Sequence, residues 1–405
     1  MAPYIFFIFL TFVLSILFDG REDSPHKRFW YSVVCVYLIL VAGLRYRVGG
    51  DTQSYMEDFA YIPLSSNQYM DYIREQITEE SYMPGWTIIT ILCKRWFDSF
   101  YAIQIVEALF ANICIFYLFK QYTTHIFLCA LLYGITGQFF NFNTEVMREA
   151  FAIGICGIAI HQYLQGKHLK FYVLVLFSIF FHVSSIIVLL FPFFRLETIR
   201  IKTIIYAFLV SFVLWFISDM IMTYLPNLLS GELAVVDKVL SYSNSKSNIF
   251  GLLSSSLLYI VGQGMIIYFV NQYLDDDDER KTKFIHYASF HFLIATLACG
   301  FAGFNRFLNY TAIFILIMAT EFIYHYKVQL KSLPIVKTIL LIIFFAFPFM
   351  KYNIYFKETD RRFYEFFVPY TSINDEDQNL DYREYMYIEA VTPEKTAKNT
   401  RDIEK

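Results

Sequence analysis

The chain has 405 residues, of which 57% are hydrophobic, 20% aromatic and 17% charged, with a formal net charge of −3. Soluble domains carry about 25% charged residues, so the composition excludes an ordinary water-soluble enzyme and points to a polytopic membrane protein. The near-neutral charge gives no hint of a nucleic-acid partner, and the six cysteines lie scattered in apolar segments without metal or redox spacing.

A membrane span needs roughly 20 apolar residues. In chain order the candidates are 3–18, 29–44, 100–119, 125–141, 147–164, 201–224, 249–273, 284–302, 306–326 and 334–350. The first lacks the basic leader of a signal peptide, and its positive charges (Arg21, Lys27, Arg28) follow it, so it reads as a retained helix with its N-terminus outside. Basic stretches at 20–28, 167–170, 195–202, 280–283 and 327–337 read as cytoplasmic. With 167–170 and 195–202 on one side, 171–194 cannot be a simple crossing. It is expected to rise, break near His182-Val183-Ser184-Ser185 and return as a re-entrant segment. The run 84–97, opened by Pro84-Gly85-Trp86 and closed by Lys94 and Arg95, fits a half-membrane helix. The expected fold is therefore an all-α polytopic membrane protein of roughly ten to twelve transmembrane helices. Ten are full crossings, both termini lie outside, and 84–97 and 171–194 are re-entrant or half-membrane segments.

One integral domain is expected over 1–370, with outer loops at 45–83 and 225–248 and a polar, mobile tail at 371–405. Loop 45–83 carries seven acidic residues (Asp51, Glu57, Asp58, Asp71, Glu75, Glu79, Glu80) against three arginines. The acidic run Asp275 to Asp278 reads as a solvated loop. No internal repeat is evident.

The residues able to carry chemistry are ionisable groups at the ends of apolar runs, where charge is costly unless compensated. Arg45 and Arg47 close the second run, ahead of Gly49-Gly50 and Asp51. One residue apart, they point the same way on a strand or turn, and guanidinium forks match phosphate oxygens. They are either interfacial anchors or phosphate ligands, and Asp51 either bridges to one of them or orients an incoming sugar hydroxyl. Arg148 opens the run 147–164, where a cation opposes the helix dipole unless an anion offsets it. That anion is Glu145, Glu149 or a bound diphosphate. Ala150, Gly154 and Gly157 permit close helix packing behind it. His182 is a buried structural histidine, a phosphate donor or a base. Arg306 and Tyr310 sit one turn apart, as do Asn305 and Asn309, and so share a face of the expected helix 306–326. Glu107, inside a span, pairs with an arginine or acts on substrate. Under the expected topology Arg45, Arg47, Arg148, His182 and Arg306 all lie near the outer membrane face. There is no nucleotide-cradling loop, metal quartet or Ser-His-Asp arrangement, so no cofactor and no metal are expected.

With Gly43-Leu44-Arg45-Tyr46-Arg47, Gly49-Gly50-Asp51-Thr52 with Tyr55, Val146-Met147-Arg148-Glu149-Ala150, Phe181-His182-Val183-Ser184, Arg306 with Tyr310, and Val368-Pro369-Tyr370, the chain resembles the EpsG family. These are Wzy-like membrane proteins of bacterial exopolysaccharide and capsule assembly. The resemblance covers most of residues 29 to 370, in shared order and spacing. It departs where such proteins commonly have glutamine and this chain has Glu149. It implies a metal-independent, class C-like glycosyltransferase of the bacterial inner membrane that polymerises polyprenyl-diphosphate-linked oligosaccharide repeat units at the outer face. An acceptor sugar hydroxyl would attack the donor anomeric carbon and polyprenyl diphosphate would leave, with no cofactor. Arg45, Arg47, Arg148 and Arg306 would clamp the diphosphate, His182 would be base or second-shell donor, Asp51 the competing base, and Tyr310 and Glu107 further substrate contacts. The implied partners are the lipid-linked donor and acceptor, membrane lipid and a chain-length regulator. Alternatives are a glycan ligase and a lipid-linked oligosaccharide flippase or exporter. A transporter places charges on both sides of the midplane, often across repeated halves.

Overall fold

Apolar segments with no outside hydrogen-bond partner coil into helices, and a computed structural model of the protein is helical along nearly its whole described length, residues 2–78, 83–228, 249–274, 279–301, 303–324, 334–356 and 361–375. The helices are α1 (Ala2–Phe18), α2 (Pro25–Gly43), α3 (Gly50–Ala60), α4 (Tyr69–Thr78), α5 (Pro84–Phe97), α6 (Phe100–Tyr122), α7 (Ile126–Ile135), α8 (Gln138–Glu145), α9 (Met147–Leu164), α10 (His168–Ile179), α11 (Ile201–Leu228), α12 (Ile249–Tyr273), α13 (Glu279–Gly300), α14 (Asn309–Tyr324) and α15 (Pro334–Tyr352). Two-residue strands β1 (Tyr355–Phe356) and β2 (Arg361–Arg362) pair antiparallel.

Among the described residues four helical segments are long and apolar enough to cross a membrane: Phe100–Tyr122, Ile201–Ser218, Ile249–Tyr273 and Phe304–Tyr324. A fifth forms if α7 and α8, bent by 77° at their junction, count as one broken span. Of the other expected crossings, α1 is shorter, and α2 (Lys27, Arg28), α9 (Arg148, Glu149) and α13 (Arg280, Lys281, Lys283) open on charge. The expected outer loop 45–83 contains helices α3 and α4, because Gly50 and Tyr69 each open a short run free of proline. Residues 229–248 of the expected second loop, Asp275 to Asp278 and the tail from 376 lie outside the described residues.

The chain divides into two compact units, described in turn. The first comprises described residues within Met1–Phe116, Ile126–Phe151 and Ala346–Lys405. Here α1 packs along α7. Asp19, just past α1, accepts from the amides of Phe127 (3.2 Å) and Leu128 (2.8 Å) and so caps the start of α7. A buried polar network ties α6 to the broken span. Asn112 Nδ2 donates to Asn143 Oδ1 at 2.7 Å, and Asn143 Nδ2 donates to Tyr133 Oη at 3.0 Å. Asn141–Glu145 is a π-helical turn, a form that concentrates at functional sites.

The C-terminal segment closes this unit. Phe366 and Phe367 form a core with Val48, packed by Phe140, Tyr352 and Tyr370. Tyr46 N donates to Thr371 O (2.9 Å), Gly49 N to Phe366 O (2.9 Å) and Ile373 N to Leu44 O (3.0 Å), while Tyr370 Oη reaches Val41 O (3.0 Å). This explains why the Arg45 and Val368-Pro369-Tyr370 motifs, over 300 positions apart, occur together. The pairing runs past residue 370: Arg45 bridges Ser372, and Ile373–Asp375 forms a 3-10 turn.

The second unit comprises described residues within Tyr117–His125 and Ala152–Phe345. Here α11 packs on α13, and Tyr287 stacks on Phe314 of α14 at 4.6 Å. Glu321, buried in α14, accepts from Thr123 Oγ1 (2.5 Å) and faces Arg280 (3.9 Å). A Cβ on Gly157 would lie 2.5 Å from Leu118 Cδ1, so the glycine lets that leucine tip rest against the helix backbone. The break expected near His182 is present: α10 ends at Ile179, His182 is extended (φ −155°), and a 3-10 run, Val183–Phe193, packs back on α10.

Two tests follow from the first unit. Gly49 has φ +103° and ψ 150°, a region open almost only to glycine, and an added Cβ would meet Thr144 Cβ at 2.5 Å. Gly49→Ala is expected to lower the unfolding free energy in detergent by about 2 kcal/mol or more. Burial pushes the Asp19 carboxyl up from 3.8 to about 6, outweighing its two amide bonds. The folded chain therefore holds the proton more tightly, and the resulting stability is complete below pH 3.8 and lost as pH rises through about 6. The unfolding midpoint of the wild type should fall over that window relative to Asp19→Asn.

Candidate functional site

In the first unit, three sequence-distant pieces meet where α2 stops. Leu44 and Arg45 leave the helix, Arg47 turns the chain with φ +50°, and Gly49-Gly50 starts α3. The π turn Asn141–Glu145 supplies the opposite wall. Gly50 N donates to Glu145 Oε1 (2.8 Å), and Thr52 Oγ1 donates to Thr144 O (3.2 Å). Arg148 follows on α9, and Lys351 at the end of α15 donates to Asn141 Oδ1 (3.4 Å).

The two arginines of the 45–47 pair have different environments, contrary to the expectation that they point alike. The left-handed backbone at Arg47 breaks the alternation on which that expectation rests. Arg45 is 1% exposed. Its guanidinium donates to Ala42 O and contacts Thr52 Oγ1 (3.5 Å) and Met147 Sδ (3.3 Å), while Gln104 Nε2 donates to its backbone carbonyl (3.0 Å). The strongest compensating charge acting on it is Glu107, fully buried on α6. Both carboxylate oxygens of Glu107 are buried without a hydrogen-bond partner among the described residues, so its charge acts on Arg45 without a direct ion pair. Arg47, by contrast, is half-buried, with its guanidinium 5.6 Å from the Tyr46 ring centroid.

Arg148 is half-buried, 5.8 Å from the Tyr55 ring centroid. Tyr55 rests on Trp86 at 5.5 Å. Burial pushes the Tyr55 hydroxyl up to about 12, with Arg148 opposing. Burial also raises the Asp58 carboxyl, again against the pull of Arg148. Asp58 thus lies in the field of the cation at the start of α9, for which the sequence offers Glu145, Glu149 or a bound diphosphate as the offsetting anion. Glu145 instead caps Gly50. Asp51, exposed, and Glu145 are the carboxylates whose charge bears on Lys351. Sequence reasoning passed over Lys351 and Asp58. Lys351 carries the same signature as Arg45, a lone cation ending an apolar run, and was legible on that ground; Asp58 was lost among the loop acids.

A second cluster lies in the second unit. His182 Nδ1 accepts from Ser184 N (3.3 Å) and lies 2.5 Å from Ser184 Oγ, which is 2.8 Å from Tyr310 Oη. His182 therefore caps the 3-10 run and is joined to Tyr310 through Ser184. Arg306 does not share a face with Tyr310. Phe304–Leu308 is a 3-10 turn rather than the start of an α-helix, so Arg306 is exposed while Tyr310 is 6% exposed.

Apolar helices of crossing length, with cations and carboxylates set on interrupted backbone, define a multi-pass membrane protein. The EpsG family model matches residues 28–372, and the chain belongs to the EpsG family. That membership points to an exopolysaccharide polymerase-like function of the glycosyltransferase kind. No curated protein and no solved structure matches the chain.

Removing one member of a buried charge pair costs about 3–5 kcal/mol, because the other is left uncompensated. Glu107→Leu and Arg45→Met should each destabilise the protein on that scale. The double variant should lose clearly less than the sum, as read by detergent-based unfolding. Additive losses would show that the two charges do not share a field.

Proposed function

We propose that the protein polymerises polyprenyl-diphosphate-linked oligosaccharide repeat units at the outer face of the bacterial inner membrane. The observation that carries this reading is the family match across residues 28–372, joined to a cationic cluster built on that family's own motifs. In the proposed reaction an acceptor hydroxyl oxygen bonds to the donor anomeric carbon as the bond to diphosphate breaks. The acceptor proton passes to a protein carboxylate, and polyprenyl diphosphate departs with the electron pair. Negative charge grows on the leaving group, so preplaced cations stabilise the transition state more than the ground state. On this reading no metal is needed, and the architecture is a class C-like glycosyltransferase with ten to twelve crossings in which shorter and charged helices also span.

Arg47 and Arg148 are assigned to the diphosphate, supported by their half-buried setting beside aromatic rings. Arg45 becomes a positioning residue that fixes the turn carrying Arg47. Lys351 adds positive charge near Asp51 and Glu145. Asp51, the exposed carboxylate, is assigned as base. Arg306 and Tyr310 are proposed to touch the lipid-linked substrate in their own right, and a chain-length regulator is a proposed partner. Among alternatives, an exporter is disfavoured because no repeated halves are evident in the sequence.

The test is elongation by purified protein given lipid-linked repeat units without nucleotide sugar. Longer glycans and free polyprenyl diphosphate should appear together. Arg148→Ala should slow elongation roughly 100-fold or more, the scale of removing one transition-state donor, with Arg148→Lys intermediate. Translocation at constant chain length would overturn the polymerase, and full activity in a folded Arg148→Ala would remove that residue from the mechanism.

A further inference from the structure

Beside Arg45, on the side facing α3, α5 and the start of α6, the first unit holds a cavity of about 220 Å³. Its walls include Phe59, Lys94, Asp98, Ser99, Phe100 and Gln104. Phe59 and Phe100 meet edge to face at 5.7 Å, so the cavity has an aromatic lining. Gln104 is 1% exposed and spends its amide N–H on the Arg45 carbonyl. Its Oε1 is buried with no hydrogen-bond partner among the described residues. A buried acceptor left open costs about 1–3 kcal/mol, and Gln104 lines the cavity, so a small turn of its side chain would let a ligand donor satisfy this oxygen.

The charges here are already matched. Lys94 Nζ lies 2.8 Å from Asp98 Oδ1 and 5.0 Å from the Phe59 ring centroid, so the cation on this wall already has a carboxylate beside it. An anion would meet the Asp98 carboxylate, and a lipid chain would strand the Gln104, Ser99, Lys94 and Asp98 polar groups. A neutral ligand with several hydroxyls and an apolar ring face satisfies every wall. The volume is below the ~300–1,000 Å³ of drug-sized sites, so it suits one ring rather than an oligosaccharide.

We propose that this cavity binds a single neutral sugar ring of the glycan, with a ring hydroxyl donating to Gln104 Oε1, further hydroxyls at Lys94, Asp98 and Ser99, and a ring face against Phe59 or Phe100. The inference rests on the polymerase reading, and it places a sugar-specificity subsite next to the residue that anchors the cationic turn. Gln104 couples the two, because the same side chain holds the Arg45 backbone.

The test is saturation-transfer NMR on the full-length protein in nanodiscs, with methyl glucoside, methyl galactoside and N-acetylglucosamine as separate probes and inorganic pyrophosphate as competitor. At least one sugar should take up saturation in the wild type. The signal should weaken by roughly fivefold or more in Gln104→Leu, the lower end of an unmade buried hydrogen bond. Ser99→Trp, which fills the cavity without touching the Arg45 contact, should abolish it and serves where Gln104→Leu misfolds. No uptake of any sugar by the wild type, unchanged uptake in the folded variants, or displacement of sugar by pyrophosphate would each overturn the proposal. Sugar uptake needs no lipid-linked substrate. A sugar-binding cavity in a protein that cannot elongate would therefore sink the polymerase reading alone, and elongation by a protein whose cavity ignores sugars would sink only this inference.

Discussion

A helix in an apolar medium can stop short only if the amides and carbonyls it abandons find partners inside the protein. In the first unit that requirement governs everything around the end of α2. Four main-chain groups between Leu44 and Gly50 are met by Ile373 N, Thr371 O, Phe366 O and the Glu145 carboxylate. A C-terminal segment and a π turn are thereby bound to the place where the arginines leave the helix. The aromatic core of Val48, Phe366 and Phe367 follows from this closure, because the strand-like pairing brings those side chains together.

The same closure sorts the charges. A guanidinium carried inward with the turn, Arg45, must be compensated within the protein, and Glu107 on α6 answers it. Guanidiniums on residues where the backbone turns back, at Arg47 or at the opening of α9, keep partial exposure and lie beside rings rather than deep in the core. Burial depth, more than sequence position, separates Arg45 from Arg47 and Arg148. The half-buried Asp58 and the buried Tyr55, both carried by α3, lie in the field of Arg148.

Helix positions were largely legible, since hydropathy alone gives the register of a long apolar run: 147–164 and 249–273 coincide with α9 and α12. The interruption at His182 was also legible, from the clash between charge sidedness and run length. Hydropathy reads a broken span as continuous, so the 77° bend between α7 and α8 and its π turn were not visible in 125–141. Nor was the switch to 3-10 geometry at Phe304–Leu308, which separates Arg306 from Tyr310. Among site residues, cations that end apolar runs stood out because their cost in hydrocarbon is large. Acids in a polar loop did not, because Asp58 gains its meaning only when α3 folds against Arg148.

The hydrogen bonding of His182 bears on which group takes the acceptor proton. The Ser184 amide can only donate, so the Nδ1 it reaches carries a lone pair, and a neutral imidazole must then hold its proton on Nε2. With Ser184 Oγ also at Nδ1 and Tyr310 behind it, the one basic nitrogen is occupied by the cap of its own 3-10 run. Protonating it would break that cap. A histidine so arranged offers Nε2–H as a donor, and the proposed reaction accordingly assigns the base to a carboxylate. Asp51, the base of the proposed reaction, is exposed and directly follows the Gly49-Gly50 turn.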